Sequence, residues 1–195
     1  MIICAGNNET FPFATPIGIG LCESASNLTR LLLMQPPEFL LFIGSAGTYG
    51  KHDIFDIVES KAACQIELSY LQKKSYTPLQ NNLIVSDENV SRETPVCALS
   101  SKEKPSIVNS SNYISTDIQL AEKLNRLGIG LENMEFYSVM LVAQNFGIPC
   151  GGIFVITNRC DEHAHTDFLK NHERAMYTLV KYLQTKVPNL EAFNT

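Results

Sequence analysis

Apolar residues recur along this chain in two rhythms, short unbroken runs and a three-to-four-residue spacing. Their alternation predicts where strands and helices fall. Residues 2–5 form a short apolar strand that ends at the turn signal Gly6-Asn7-Asn8, and residues 16–20 form a second. Residues 22–34 set Leu28, Leu31 and Leu32 on one helical face, and Pro36-Pro37 stops that helix. The run 39–43 is continuously apolar and reads as a buried parallel strand. Gly44-Ser45-Ala46-Gly47-Thr48-Tyr49-Gly50 follows and reads as a glycine-rich loop at its carboxyl end.

The middle of the chain is strand-rich, with candidate strands at 54–58, 62–68, 82–86, 96–99 and 106–109. The polar stretch 87–105, with Pro95 and Pro105, reads as loop or strand edge. Helical spacing returns at 116–127, where Ile118, Leu120, Ala121, Leu124 and Leu127 share a face, and again at 136–146. Residues 152–156 are a second apolar strand, ending at Thr157-Asn158, and a last helix runs from about 166 to 186. Strands alternating with helices imply an α/β fold: a single domain over residues 1–195 with a central, mixed, mostly buried sheet flanked by helices. In such sheets ligands gather at the carboxyl ends of strands. Ser45, Glu135 and Asn158 fall at or near such ends.

Composition narrows the functional classes. A net charge of −5, with no basic run beyond Lys73-Lys74, argues against nucleic-acid binding. No stretch approaches the roughly 20 apolar residues of a membrane helix, and no basic segment precedes the N-terminal apolar residues. The six cysteines are scattered without a CxxC pair, as expected for reduced, packed thiols in the cytoplasm. Only 18% of residues are charged, which fits some surface buried between subunits. The expected partner is therefore a small molecule, with no nucleic acid and no membrane.

Four places carry candidate chemistry, each with a plainer reading beside it. The Gly44–Gly50 segment can bring backbone N–H groups and the Ser45 hydroxyl to an anion, but it also fits a tight turn. Glu135 can accept hydrogen bonds from two vicinal hydroxyls, but it also fits a first-turn glutamate favoured by the helix dipole. Asn158 can donate to the N7/O6 edge of a 6-oxopurine, but it also fits a turn-forming asparagine. Residues 160–165 (Cys-Asp-Glu-His-Ala-His) hold metal-ligand types without a zinc spacing, so a solvated loop is expected and no metal site.

Together these segments resemble the purine nucleoside phosphorylase and nucleosidase superfamily. Pro16-Ile17-Gly18-Ile19-Gly20, a helix, a buried strand and Gly44-Ser45-Ala46-Gly47 follow the family's opening order. Ser110-Ser111-Asn112-Tyr113-Ile114 is similar to its aromatic-wall segment, and Met134-Glu135 to its Met-Glu pair. Ile156-Thr157-Asn158-Arg159 followed by Asn171-His172-Glu173 is similar to the trimeric, 6-oxopurine-specific branch. The resemblance implies that Asn158 and Glu135 are catalytic. It implies that Met134, Tyr113, His172 and Thr157 bind substrate, and that Ser45, Gly44 and Gly47 place the nucleophile.

The implied activity is phosphorolysis of inosine- or guanosine-type nucleosides to base and ribose 1-phosphate. Phosphate would be co-substrate, without a cofactor, in a homo-oligomer (trimer, hexamer or dimer). One departure bears on this. Family phosphorylases hold phosphate with arginines near the first glycine loop and just before the Gly-Ser segment, whereas here no Arg precedes Arg30 and Ile43 precedes Gly44. Hydrolysis by water, on an adenosine-, inosine- or futalosine-type nucleoside, and nucleoside binding without turnover are the alternatives that this departure leaves.

Overall fold

The computed structural model describes residues 1–79, 83–86, 106–187 and 190. The expected strand at 96–99 and the polar stretch 87–105 lie outside the described residues. The described strands join one mixed sheet. β3 (Leu40–Thr48) and β9 (Cys150–Arg159) are its centre, paired in parallel from Leu40↔Cys150 to Thr48↔Arg159. β1 (Ile2–Cys4) lies parallel to the first half of β3, and β2 (Thr15–Pro16) lies parallel to β1. β4 (Ile57–Ser60) runs antiparallel along β9. β8 (Ile129–Glu132) pairs antiparallel with the last residues of β3. Beyond it come β7 (Ile107–Asn109), β5 (Ala62–Cys64) and β6 (Leu83–Val85).

Helices cover both faces. α1 (Gly20–Met34) and α4 (Phe136–Phe146) bury an apolar layer with Leu28, Leu32, Phe42, Phe136, Met140 and Phe154. Phe136 and Phe154 meet edge-on at 5.0 Å, a favoured aromatic geometry. Gly152 makes room for both rings, since a Cβ there would lie 2.6–2.8 Å from them. The long α5 (Ala164–Lys186) covers the other face, burying Ala175, Leu179 and Leu183 against Ile43, Ile153 and Val155. α3 (Ile118–Arg126) packs beside β8, started by Asp117, whose carboxylate accepts from the Gln119 and Leu120 amides. α2 (Leu68–Leu71) is a single turn that the apolar spacing does not predict. No described helix is long and apolar enough to cross a membrane.

The main correction concerns residues 44–50. They do not form a loop after the strand, because β3 itself continues to Thr48. Glycine is usually a sign of a turn, but here its missing side chain makes space inside a sheet. A Cβ on Gly44 would lie 2.6 Å from Glu9 Oε2, and one on Gly47 would lie 2.8 Å from Cys160 Sγ and 3.0 Å from Asn158 Nδ2. A second correction is to β9, which runs on through Asn158 rather than ending before it. A bulge accompanies this extension: Ala46 pairs with Ile156 but Gly47 pairs with Asn158, so Thr157 is the extra residue.

Candidate active site

The strand ends open into one cleft of about 260 Å³. Six elements converge on it: the turn at Gly6–Glu9, the ends of β3, β8 and β9, the start of α4, and the first turns of α5.

The start of α4 places Glu135. Asn133, just after β8, accepts from the amides of Glu135 (3.0 Å) and Phe136 (2.9 Å), and so takes the part of an N-terminal helix cap. Its Nδ2 donates to the Ser45 carbonyl at 3.1 Å, locking this corner to β3. Glu135 is buried, with Oε1 accepting from the Gly20 amide at 2.9 Å. Burial pushes its carboxyl up to about 7; the Gly20 hydrogen bond opposes that rise and the nearby charge of Glu9 adds to it. Met134 lines the cleft beside it.

Glu9 is one residue that sequence reasoning missed. It stands in a polar stretch, Asn7-Asn8-Glu9-Thr10, that reads as a turn. The turn is real: the Glu9 amide donates to the Gly6 carbonyl at 3.0 Å, and Gly6 and Asn7 take positive φ values of 100° and 55°. The turn drives the Glu9 carboxylate into the cleft over Gly44. There it accepts from the Ser45 amide (3.2 Å to each oxygen) and from the Ser45 hydroxyl. Burial raises its carboxyl above the ordinary range, while the Ser45 bonds and the nearby His172 oppose the rise. The donors expected to face an anion are therefore already turned to a carboxylate of the protein.

Asn158 is buried at the other end of the cleft, next to Gly47. Its Oδ1 accepts from the Thr157 hydroxyl at 2.9 Å, and its Nδ2 donates to the Arg159 carbonyl at 3.0 Å. These partners fix the amide orientation and leave one N–H of Nδ2 for a ligand.

Other predicted residues stand elsewhere. Thr157 is fully buried and does not line the cleft; it orients Asn158 instead. Gly44 sits under Glu9 rather than on the wall. Tyr113 is 78% exposed and outside the cleft, where its neighbour Ile114 takes the lining position. His172 is also outside the lining: its Nε2 donates to the Asn8 carbonyl at 2.9 Å and its ring packs on Phe168. His172 thus holds two residues that do line the cleft, Asn8 and Phe168. In residues 160–165, Cys160 is buried while Glu162 and His163 point to solvent, so these side chains diverge.

Among the described residues, no Lys or Arg lines the cleft. Arg126 pairs with Glu122, and Arg174 lies over the Phe55 ring. Three carboxylates, Glu9, Glu132 and Glu135, do line it.

This α/β sheet with its strand-end cleft matches the family model of the phosphorylase superfamily over residues 5–185, and the chain belongs to that superfamily. Solved structures with the same fold include a mutant of the futalosine hydrolase of Helicobacter pylori strain 26695. That chain is 23% identical, with 97% of this chain and 98% of that one covered, at a TM-score of 0.76. The 5′-methylthioadenosine/S-adenosylhomocysteine nucleosidase of Helicobacter pylori is 20% identical, covered 97% and 97%, at a TM-score of 0.75. The corresponding nucleosidase of S. pneumoniae, solved with a transition-state inhibitor, is 15% identical, covered 93% and 95%, at a TM-score of 0.69. No curated protein sequence matches the chain.

Proposed function

We propose that the protein is a nucleosidase, hydrolysing the N-glycosidic bond of a 6-oxopurine nucleoside with water. This replaces the phosphorolysis implied by the sequence resemblance. The observation that carries it is the buried Glu9 carboxylate seated on the Ser45 amide and hydroxyl, in a cleft where no described residue of the lining is Lys or Arg. A phosphate dianion placed there would lose the Ser45 donors and meet like charge at short range. A water molecule meets a general base instead. The structural relatives named above are two nucleosidases and a futalosine hydrolase, which supports the same choice.

The reaction then runs as follows. Glu9 takes a proton from water as the oxygen bonds to C1′ of the sugar. The C1′–N9 bond breaks and its electron pair goes to the purine. Asn158 donates the free N–H of Nδ2 to the N7/O6 edge, where negative charge grows. The proton taken by Glu9 returns through solvent to the base. Glu135, ionised, accepts from the ribose 2′- and 3′-hydroxyls and stabilises the positive charge developing on the sugar. Phe168, Ile19 and Ile114 give the remaining wall an apolar character. The products are free ribose and a 6-oxopurine.

Incubation with inosine, with and without phosphate, tests this. Free ribose at equal rates under both conditions is expected. Ribose 1-phosphate formed only when phosphate is present would overturn the hydrolytic reading.

A further inference from the structure

One side of β3 has a gap in its strand pairing. β1 pairs with Leu41 and Phe42, and β8 pairs with Gly47 and Thr48. Ser45 lies between them, where no described strand meets its backbone on that side. Side chains fill the gap instead. The Ser45 amide donates to the Glu9 carboxylate at 3.2 Å, and the Ser45 carbonyl accepts from Asn133 Nδ2 at 3.1 Å. Glu9 thus stands in for a neighbouring strand. It does so from a turn whose tip, Asn7 and Asn8, is exposed. Solvation favours swinging a buried carboxylate out of such a place into water, so the seat on Ser45 needs a second support.

α5 supplies that support through His172. Its Nε2 donates to the carbonyl of Asn8, the residue just before Glu9, at 2.9 Å. Apart from the bonds between Glu9 and Ser45, this is the one hydrogen bond among the described residues that reaches the turn tip from another element. Phe168, one helical turn earlier, packs on the ring at 4.9 Å between centroids and sets its direction. A carbonyl only accepts, so Nε2 carries the proton of the neutral ring. Nδ1 is buried with no hydrogen-bond partner among the described residues. Leaving a buried ring nitrogen unpaired costs stability, so packing alone does not account for this placement. The bond to Asn8 does.

We propose that His172 is a positioning residue for hydrolysis, clamping Asn8 so that the Glu9 carboxylate stays seated over Gly44 where water is activated. The proposal rests on the nucleosidase reading and deepens it. It departs from the role that the sequence resemblance implies, in which His172 binds the substrate, since His172 does not line the cleft. A general base must face the attacking oxygen closely, and a misplacement of about 1 Å can cost about 10²-fold in rate. The clamp acts on the rate of attack and leaves nucleoside binding to Glu135 and Asn158.

Two variants test the clamp. His172→Ala removes the hydrogen bond, whereas His172→Gln keeps an N–H donor near the place of Nε2 without the imidazole. On inosine, His172→Ala should lower kcat about tenfold or more with KM within about twofold, and His172→Gln should recover to within about threefold of wild type. A direct contact would fall on the 5′-hydroxyl, the sugar hydroxyl that Glu135 does not hold, so 5′-deoxyinosine should show the same loss in His172→Ala. Amide hydrogen exchange reads the turn without activity: the Glu9 and Ser45 amides should exchange about tenfold faster in His172→Ala and return toward wild type in His172→Gln. A kcat for His172→Ala within about twofold of wild type overturns the proposal, as does a His172→Gln no better than His172→Ala. A loss on inosine that vanishes on 5′-deoxyinosine makes His172 a substrate contact and also overturns it. Unchanged exchange rates overturn the clamp while leaving hydrolysis intact. A wild type that releases no ribose from either nucleoside overturns the hydrolytic reading, and this role with it.

Discussion

The two ends of the cleft use carboxylates in opposite ways. At the base end Glu132 receives three strong donors from Tyr49 and Ser115, and its orientation is fixed. At the sugar end Glu9 is supported by Ser45 and Glu135 by the Gly20 amide, and burial raises both. A well-donated carboxylate holds one direction and anchors the elements that donate to it. A carboxylate with few donors in a dry setting is raised by burial, and at Glu9 that makes it a stronger base toward water. Charge alone would not separate the two; the count of donors does.

The largest effect should come from Glu9→Gln, which keeps shape and size but removes the base. Inosine hydrolysis, followed as ribose release, should fall about 10³-fold, while hypoxanthine binding stays within a few-fold of wild type. A variant that keeps more than about a tenth of the rate would place the general base elsewhere and dissolve the contrast between the two ends.

Glu135→Gln should cost about 10²-fold in kcat/KM for inosine, because a neutral amide stabilises the sugar cation less well. Stability gives a second readout. The folded carboxyl titrates near 7, above its ordinary 4.5. Between those values the folded state binds the extra proton, so the stability associated with this group is full below about 4.5 and declines as pH rises through 7. Glu135→Gln should therefore be more stable than wild type at pH 8, by about 1–3 kcal/mol, with the difference vanishing near pH 4.5. Denaturant unfolding at several pH values checks this, and a constant difference across the range would show that burial does not govern Glu135.

The smallest change belongs to the base end. Asn158→Asp should lower the inosine-to-adenosine ratio of kcat/KM by about tenfold, since a carboxylate there accepts from a 6-amino group. Competition kinetics with the two nucleosides measures it. An unchanged ratio would show that Asn158 does not read the base.

Much of this architecture is legible in the sequence. The runs 39–43 and 152–156 lie in the two central strands, and the spacing at 22–34, 116–127 and 136–146 marks real helices. Glu135 and Asn158 reach the cleft because both stand where an apolar element begins or ends. Glu9 escaped for a physical reason. Its local signal is that of a turn, and only the positive φ at Gly6 and Asn7, with the empty space above Gly44, sends its side chain inward. Glu132 escaped because β8 is only four residues long and too short for a periodic signal. His172 and Tyr113 show the converse. Their motifs are legible, but a motif does not say whether a side chain meets the ligand or, as with His172, a residue that does.

The bulge at Thr157 has a consequence for how such a site tolerates change. It works as a one-residue shift in reading frame between two strands, and everything beyond it is aligned by that shift. Deleting Thr157 would restore regular pairing with Asn158 still opposite Gly47, but it would remove the hydroxyl that orients the Asn158 amide and the extra residue that bends the end of β9. A point change at Thr157 would loosen the hold on that amide, whereas a length change there would also remove the bend that carries it.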